Sequence, residues 1–411
     1  MNNGRMLRRL PYMLAWRELA AEKSMVLMAG PRQCGKTTLA ELIGESFANR
    51  LYFNWDVPAD RRKLIENPQF FERLPRMDAT RPLVVLDEIH KYRQWKNYLK
   101  GAYDRFHEDY AFLVTGSGRL DTYQKGGDSL AGRYYLFHLW PLTLAELGGQ
   151  QAAPEAFFAA PLAVTDNDHP ALRAAWARLA SFSGFPEPYL TAKPASYRRW
   201  SAGYHQRLIR EDIRDMTAIR TVDHVETLFY LLPSRIGSPL SITGLAEDLK
   251  VAYNTVAQWL SVFERFFLIF TVKPWTVSIA RSIQKERKIY LLDYALIEDQ
   301  AARFENMVAM ELMRAVSLWN DLGLGSYELH FVRDKEKREV DFLIVERRKP
   351  ILLVEAKLSD ESPSPALLRF QQRLKVPAVQ LVRDASHYRL LHNQEGRLLI
   401  APPWRWLPRL P

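Results

Sequence analysis

Eight consecutive residues near the start of the chain have the types and spacing needed to hold a phosphate group. Residues 30–37 read G-x-x-x-x-G-K-T, after the apolar run MVLMA and before the helix-forming run TLAELIGE. The glycines let backbone N–H groups turn toward a phosphate, and the N-terminus of the following helix adds a favourable dipole. Lys36 supplies a cation with a catalytic role, and Thr37 supplies an oxygen ligand for Mg²⁺. The predicted nucleotide-binding residues of this loop are Gly30, Pro31, Arg32, Gln33, Cys34, Gly35, Lys36, Thr37 and Thr38.

A pair of carboxylates at the end of another apolar run is suited to act on the same phosphates. In LVVLDE a buried strand delivers Asp87 and Glu88 at its carboxyl end. Asp87 is expected to hold Mg²⁺, and Glu88 to polarise the attacking water as a catalytic residue. A third run, AFLVTGS, ends in Thr115 and Ser117, which either sense the γ-phosphate or cap the turn that follows. These patterns predict ATP and Mg²⁺ as cofactors.

A second set of acidic and basic residues lies in the C-terminal half, where EVDFLI is followed by ILLVEAKL. Strand alternation puts Glu355 and Lys357 on one face, and a short turn at Lys349–Pro350 brings Asp341 from the neighbouring strand. Glu305, at the start of a preceding helix, offers another carboxylate. Such a set can hold Mg²⁺ by oxygen ligands, with the lysine orienting or activating water for phosphodiester hydrolysis. The alternative is a buried ion-pair cluster without catalysis.

Apolar positions between residues 242 and 267 have the spacing of two short helices joined by a tight link, which is typical of a helix-turn-helix. The second helix would point Asn254, Thr255 and Gln258 outward, and the two strands that follow could form a wing. This part of the chain is expected to contact DNA or, alternatively, protein. A basic run between the strands either grips phosphates or is a solvated hairpin tip; it comprises Arg281, Lys285, Arg287 and Lys288.

Composition sets the wider limits. The 411 residues are 47% hydrophobic and 25% charged, which is typical of a globular protein and excludes a disordered or fibrous one. The single Cys excludes disulfides and zinc sites built from Cys pairs. No apolar run reaches the length of a membrane span. We therefore expect a cytoplasmic protein without a membrane partner. The formal net charge of +10 favours polyanionic partners such as DNA. His90 could touch the nucleotide site but is expected rather at the surface or in a cap, and the run PPWRWLPRLP is expected in a docking tail.

With the run GRYYLFHLWPLTLAEL at residues 132–147, the loop and the two strands after it resemble the AAA-type (AAA+) P-loop ATPases of a large prokaryotic family with a C-terminal domain of uncertain function. The resemblance continues through SGFPEP and covers nearly the whole chain. It implies a site completed by an arginine of a neighbouring subunit, and therefore a homo-oligomer such as a ring. Arg133 is the main candidate for this catalytic role, followed by Arg119 and Arg210, although each could instead pair with an acid of its own chain.

The carboxylate set resembles the PD-(D/E)xK restriction-endonuclease-like fold. The helix glutamate followed by D and ExK is similar to the archaeal Holliday-junction resolvases of that superfamily. This resemblance implies that Asp341 and Glu355 are catalytic metal ligands, that Lys357 is the catalytic lysine and that Glu305 is an accessory metal ligand. It also implies branched DNA, such as a four-way junction, as a substrate.

The order of these features predicts an α/β protein built around a parallel sheet. Strand-like and helix-like runs alternate over the first 148 residues, as in a sheet with crossover helices. We expect four parts: an AAA+ P-loop ATPase core, a helical lid subdomain with an insertion, a winged helix and an α/β nuclease-like domain. Their expected bounds are 1–148, 149–235, 236–299 and 300–411.

Two functions are compatible with these patterns. The first is an ATP-hydrolysing AAA+ protein that acts on DNA and whose C-terminal part, if the carboxylate set is catalytic, cleaves DNA with Mg²⁺. The second is a nucleotide-dependent binding switch, in which ATP sets the oligomeric or partner-binding state and the nuclease-like residues Asp341, Glu355 and Lys357 are structural.

Overall fold

The computed structural model of the chain falls into two compact units, Met1–Trp140 and Pro141–Pro411, which are described separately below. No helix among the described residues is long and apolar enough to cross a membrane. The residues that the structure describes are 7–117, 130–149, 154–165, 170–214, 222–275, 287–393 and 396–410.

The first unit is a five-stranded parallel sheet flanked by helices. Its strands are β1 Met25–Ala29, β2 Arg50–Asn54, β3 Leu83–Asp87, β4 Ala111–Gly116 and β5 Tyr135–His138. Its helices are α1 Leu10–Glu22, α2 Lys36–Gly44, α3 Pro58–Glu66 and α4 Trp95–Phe106. All neighbouring strands are parallel, in the order β2-β3-β4-β1-β5. The predicted α/β class and parallel sheet are thereby confirmed.

The apolar strands of this sheet hold the candidate site residues in place. β1, β3 and β4 are buried along their whole length, since strands inside a parallel sheet are covered on both faces. Phe71 packs edge-on against the rings of Phe106 and Phe112, with ring centroids 5.1 and 5.6 Å apart. The parallel register places Asp87 of β3 beside Thr115 of β4. Polar residues that follow these strands therefore meet at one edge of a rigid sheet.

The second unit combines helices with an eight-stranded mixed sheet of order β12-β13-β11-β10-β9-β8-β6-β7. A π-helical turn, Leu208–Ile213, follows the helix Pro194–Arg207. The helices are α5 Leu144–Leu147, α6 Pro154–Ala159, α7 Pro170–Phe182, α8 Pro186–Thr191, α9 Pro194–Arg207, α10 Val222–Leu231, α11 Ile242–Leu249, α12 Tyr253–Arg265, α13 Gln300–Asp321, α14 Pro365–Leu374 and α15 Pro403–Trp406. The strands are β6 Ile269–Pro274, β7 Lys288–Leu291, β8 Tyr327–Arg333, β9 Glu339–Glu346, β10 Lys349–Lys357, β11 Ala378–Val382, β12 Arg389–Asn393 and β13 Gly396–Ala401.

The two strands predicted to form a wing belong to this large sheet. β6 pairs antiparallel with β7 and parallel with β8. The backbone N–H of Trp275 extends the second pairing by donating to the carbonyl oxygen of Phe331 at 2.7 Å. The boundary expected between residues 299 and 300 therefore falls between strands of one sheet. Arg281 and Lys285 of the predicted basic run lie outside the described residues.

β9 and β10 form the antiparallel hairpin that carries the predicted carboxylates. Its turn consists of Arg347 and Arg348, which have positive φ angles of 43° and 71°. The prediction of a turn at Lys349–Pro350 is wrong, because these residues are already paired in the ladder. The register of the hairpin brings Asp341 beside Glu355.

The C-terminal run predicted to be a docking tail is part of the packed interior. The side chain of Trp406 in α15 is fully buried, and its ring centroid lies 5.9 Å from that of Phe157. Its indole Nε1 donates to the carbonyl oxygen of Pro161 at 2.8 Å. Because this large side chain is enclosed and its N–H is satisfied, the run stabilises the second unit instead of extending into solvent.

Candidate nucleotide site and carboxylate cluster

The phosphate loop connects the carboxyl end of β1 to the first residue of α2. A side chain at Gly30 would not fit, since a Cβ atom there would lie 2.3 Å from the carbonyl oxygen of Leu139. Gly35 has a φ of 97°, in the left-handed region that favours glycine. Both glycines of the motif are therefore needed for the shape of the backbone.

Lys36 lies against the inside of this loop. Its side chain is buried, and Nζ donates to the carbonyl oxygens of Gly30 at 3.0 Å and Pro31 at 2.7 Å. The ammonium is thereby kept next to any phosphate that the loop binds. Of the other predicted loop residues, Cys34 is buried, Arg32 and Thr38 are half-buried, and Gln33 and Thr37 are exposed.

Arg9, which the sequence did not indicate, ties the loop to the end of β5. Its Nη1 donates to the carbonyl oxygen of Cys34 at 2.8 Å and its Nη2 to that of Trp140 at 2.6 Å. Arg9 is itself buried. Basic residues before a first helix are usually solvated, so no sequence signal could have singled it out. Burial also raises the pKa of the Cys34 thiol, which donates to Leu139 O at 3.4 Å.

Asp87 is the centre of a hydrogen-bonded group at the ends of three strands. The Thr37 hydroxyl donates to Asp87 Oδ2 at 2.8 Å, the Tyr52 hydroxyl donates to the same oxygen, and the Thr115 hydroxyl donates to Oδ1. Burial and the bond to Asp87 raise the pKa of Tyr52, which therefore remains a donor. Thr37 and Asp87, the two predicted Mg²⁺ ligands, already have their oxygens side by side, which fits a hard divalent cation. Tyr52 was missed because a strand tyrosine is ordinarily a packing residue.

Glu88 directly follows β3, and its backbone has a left-handed conformation with a φ of 55°. Its backbone N–H donates to the carbonyl oxygen of Thr115 at 3.1 Å. Its carboxylate lies 3.2 Å from Lys91 Nζ and 3.6 Å from His90 Nε2. His90 is buried and not at the surface as predicted, because the 3₁₀ turn after Glu88 directs it inward. Ser117, one residue beyond β4, is also buried.

Two of the three arginines considered for a role in a neighbouring subunit form ion pairs within their own chain. Arg133 Nε lies 2.6 Å from Asp104 Oδ1. Arg210 Nη2 lies 2.5 Å from Glu226 Oε2. Arg119 falls outside the described residues. Any role of Arg133 in another subunit would therefore require its exposed ion pair with Asp104 to open.

The second predicted set of residues comes together in the second unit. Lys357 Nζ lies 2.6 Å from Glu355 Oε1 on the same strand. Asp341 Oδ2 accepts a hydrogen bond from the backbone N–H of Ala356 at 2.9 Å, and the backbone N–H of Asp341 donates to Glu355 Oε2 at 3.4 Å. Burial and the neighbouring Asp341 raise the pKa of Glu355 to about 8.

Lys288, which the sequence placed in an exposed basic run, is fully buried beside this set. Its Nζ lies 2.6 Å from Glu339 Oε1, 2.9 Å from Glu305 Oε1 and 3.6 Å from Asp341 Oδ1. Burial disfavours the charged lysine, but the three carboxylates outweigh it and raise the pKa of Lys288. Tyr290 also donates to Glu305 Oε1 at 2.8 Å. We refer to Lys288, Glu305, Glu339, Asp341, Glu355 and Lys357 as the carboxylate cluster.

The metal-binding role predicted for Glu305, Asp341 and Glu355 stays a prediction. Among the described residues, no group of three or more His, Cys, Asp or Glu side chains is arranged to hold a metal ion. The physical reason is that the oxygens of these carboxylates face Lys288, Lys357 and a backbone N–H.

α12 presents polar residues on one face and apolar residues on the other. Asn254 and Gln258 are exposed and Thr255 is half-buried. Tyr253, at the start of the helix, is 53% exposed. The opposite face packs inward through Val256, Trp259, Leu260 and Phe263. The polar face is thus open to a partner.

Fold and site together define the class of the first unit. A parallel sheet carries a phosphate loop after β1 and an acidic pair at the end of β3, with β4 between them. Residues 22–148 match the family model of an AAA domain. This part of the chain is therefore a P-loop ATPase domain of the AAA type.

Two further family models cover most of the remaining chain. Residues 173–306 match a domain of unknown function (DUF8612), and residues 301–397 match another (DUF4143). Uncharacterized proteins of Mycobacterium bovis and Mycobacterium tuberculosis are each 24% identical over 66% of this chain and 55% of their own length. An uncharacterized protein of Methanocaldococcus jannaschii is 23% identical over 93% of this chain and 84% of its own. The chain thus spans about half the length of the mycobacterial relatives.

Two solved structures are similar to the chain at low identity. The Walker-type ATPase of Pyrococcus abyssi is 14% identical, with 72% of this chain and 96% of that chain covered and a TM-score of 0.46. The Aeropyrum pernix ORC1 protein in complex with DNA is 17% identical, with 71% and 91% covered and a TM-score of 0.32. Because both scores are below 0.5, the class rests on the sheet order, the loop and the AAA family model.

Proposed function

We propose that the chain hydrolyses ATP and uses its nucleotide state to control contact with DNA. The observation that carries the first half is the meeting of Thr37, Asp87 and Glu88 at one edge of the sheet, where Thr37 Oγ1 and Asp87 Oδ2 are 2.8 Å apart. Thr37 and Asp87 would hold Mg²⁺, which when bound neutralises charge on the phosphate oxygens.

The other residues of the site have separate tasks in this proposal. Lys36 neutralises phosphate charge, because its buried ammonium is held against the loop that binds the nucleotide. Glu88 orients the attacking water from its position just beyond the strand. Lys91 and His90, which approach the carboxylate of Glu88, fix its position. Thr115 and Tyr52 do the same for Asp87.

Release of phosphate from ATP tests the first half of the proposal. With Mg²⁺ present, Lys36→Ala should lower the rate by about 100-fold or more, because one charge-stabilising donor at the transferring phosphate is lost. Lys100→Ala provides the matched control, since this lysine is exposed on α4. Equal rates for the wild type and Lys36→Ala would overturn the assignment.

We further propose that the active form contains several copies of the chain, in which an arginine of one copy completes the site of its neighbour in trans. Arg133 is the candidate, and its exposed ion pair with Asp104 would have to open at the contact between copies. The rate of phosphate release per chain should then rise with protein concentration until assembly is complete.

DNA is the partner favoured by the exposed polar face of α12. Asn and Gln side chains can form paired hydrogen bonds with adenine in the major groove, and the net charge of +10 favours a polyanion. Asn254 and Gln258 lie one helical turn apart, so both point to the same side of α12. A helix with two such side chains is suited to read base edges while basic residues elsewhere contact phosphates.

Fluorescence anisotropy with duplex and four-way-junction DNA tests this second half. The double substitution Asn254→Ala, Gln258→Ala should weaken binding by about tenfold or more, since a good base contact contributes roughly 1–3 kcal/mol. The dependence of affinity on salt should stay unchanged, because the phosphate contacts remain. Gln372→Ala, an exposed glutamine on α14, is the control. Wild-type protein without salt-sensitive DNA binding would instead favour a switch that acts on a protein partner.

A further inference from the structure

The carboxylate cluster has an unusual cation at its centre. Lys288, the first residue of β7, has a side chain with 0% exposure. Its ammonium contacts Glu305 from α13 and Glu339 and Asp341 from β9, at 2.9, 2.6 and 3.6 Å. The three oxygens converge on one point, as the ligands of a divalent cation would. Here that point is the lysine nitrogen.

Three of the remaining carboxylate oxygens are also engaged by groups of the protein. Glu339 Oε2 lies 3.4 Å from Arg333 Nη1. Asp341 Oδ2 accepts the backbone N–H of Ala356, and Glu355 Oε1 contacts Lys357. A divalent cation would therefore have to displace Lys288 and break several of these bonds at once.

The balance of formal charges also indicates that Lys288 occupies the place of a divalent cation. Four carboxylates face three cations, which are Lys288, Lys357 and Arg333. A buried ion pair is stable only when its geometry and hydrogen bonds offset the loss of water around the charges. Without Lys288 the four carboxylates would face only Lys357 and Arg333, which leaves two more negative charges than positive ones, the condition that attracts a metal ion.

We propose that the Lys288 ammonium is the built-in cation of this cluster and keeps divalent metal ions out of it. The cluster then stabilises the second unit and does not provide a centre for metal-dependent hydrolysis. This inference is independent of ATP hydrolysis, because all of its residues lie within residues 288–357 and its test uses no nucleotide.

Binding of Mn²⁺ to the whole chain tests the proposal. Free Mn²⁺ is measured by electron paramagnetic resonance at one fixed, mildly alkaline pH for all variants. Wild type and Asp341→Asn should bind the same amount of Mn²⁺. Lys288→Met should bind one additional ion per chain, and Lys288→Met, Asp341→Asn should lose it. This comparison cancels any binding at Thr37 and Asp87, which all four proteins share.

Two outcomes would overturn the proposal. One is Mn²⁺ binding by the wild type that Asp341→Asn removes, because the cluster would then be open to a metal. The other is a folded Lys288→Met protein without an additional ion, because Lys288 would then not be what keeps the metal out.

Thermal unfolding, measured first without metal and then with Mn²⁺, covers the case in which Lys288→Met folds poorly. Lys288→Met should lower the unfolding temperature, and the charge-balanced double variant Lys288→Met, Glu305→Gln should recover part of the loss. Mn²⁺ should raise the unfolding temperature of Lys288→Met by more than that of the wild type, because any binding at Thr37 and Asp87 is common to both proteins. Strictly additive effects of the two substitutions would mean that Lys288 does not neutralise Glu305, and would refute the proposal.

Discussion

Glu88→Gln is expected to abolish ATP hydrolysis while nucleotide binding persists. The amide keeps the size of the side chain at the end of β3 but cannot polarise the attacking water as a carboxylate does. Loss of a positioned general base lowers rates by about 10²–10⁴-fold. Phosphate release gives the rate, and the anisotropy of a fluorescent ATP analogue gives the affinity. Binding should change little, because the loop and the Thr37–Asp87 pair are untouched.

Two comparisons make this result specific. Glu45→Gln, an exposed glutamate next to the end of α2, should leave both hydrolysis and binding unchanged. Lys36→Ala should reduce both together, because Lys36 acts on the phosphates of the bound nucleotide. If Glu88→Gln hydrolysed ATP at the wild-type rate, Glu88 would not be the residue that activates water, and its contacts with Lys91 and His90 would be structural.

Trp406→Ala is expected to destabilise the second unit by about 3–5 kcal/mol, the usual cost of deleting a large buried aromatic side chain. The indole is fully enclosed, contacts Phe157 and donates to the carbonyl oxygen of Pro161. Its removal leaves a cavity and an unsatisfied carbonyl oxygen. Urea unfolding followed by circular dichroism should show a lower midpoint.

Leu390→Ala on β12 is the matched control for this prediction. Leu390 is 43% exposed, so its truncation should change stability by no more than about 0.5 kcal/mol. A Trp406→Ala midpoint equal to that of the control would mean that the C-terminal run contributes little to the core.

The features of the first unit that were predictable from sequence are local ones. The phosphate-loop motif occupies only residues 30–37. The strands β1, β3 and β4 are buried on both faces, so each is recognisable in the sequence as a short, continuous apolar run. The parallel order of these strands then places Asp87 and Thr115 together. The α/β class followed from the alternation of strands and helices alone.

What could not be predicted depends on residues that are distant in sequence. Lys288 was predicted in a basic run, because its local neighbours are charged and its acidic partners lie 17 to 53 positions later, at Glu305 and Asp341. Arg9 contacts the loop at Cys34 through a side chain that no motif describes. Trp406 was predicted in a tail, because the residues that enclose it lie near position 160, far away in sequence.

The pairing of β6 with β8 joins the two sides of the boundary expected between residues 299 and 300. A gene cut between codons 299 and 300 would separate the lysine of β7 from the acids that surround it. It would also leave the edge of β8 unpaired, and bare strand edges recruit other chains. The strands β6 and β7 and the carboxylate cluster should therefore fold as one piece, even though the two family models meet at residues 301–306.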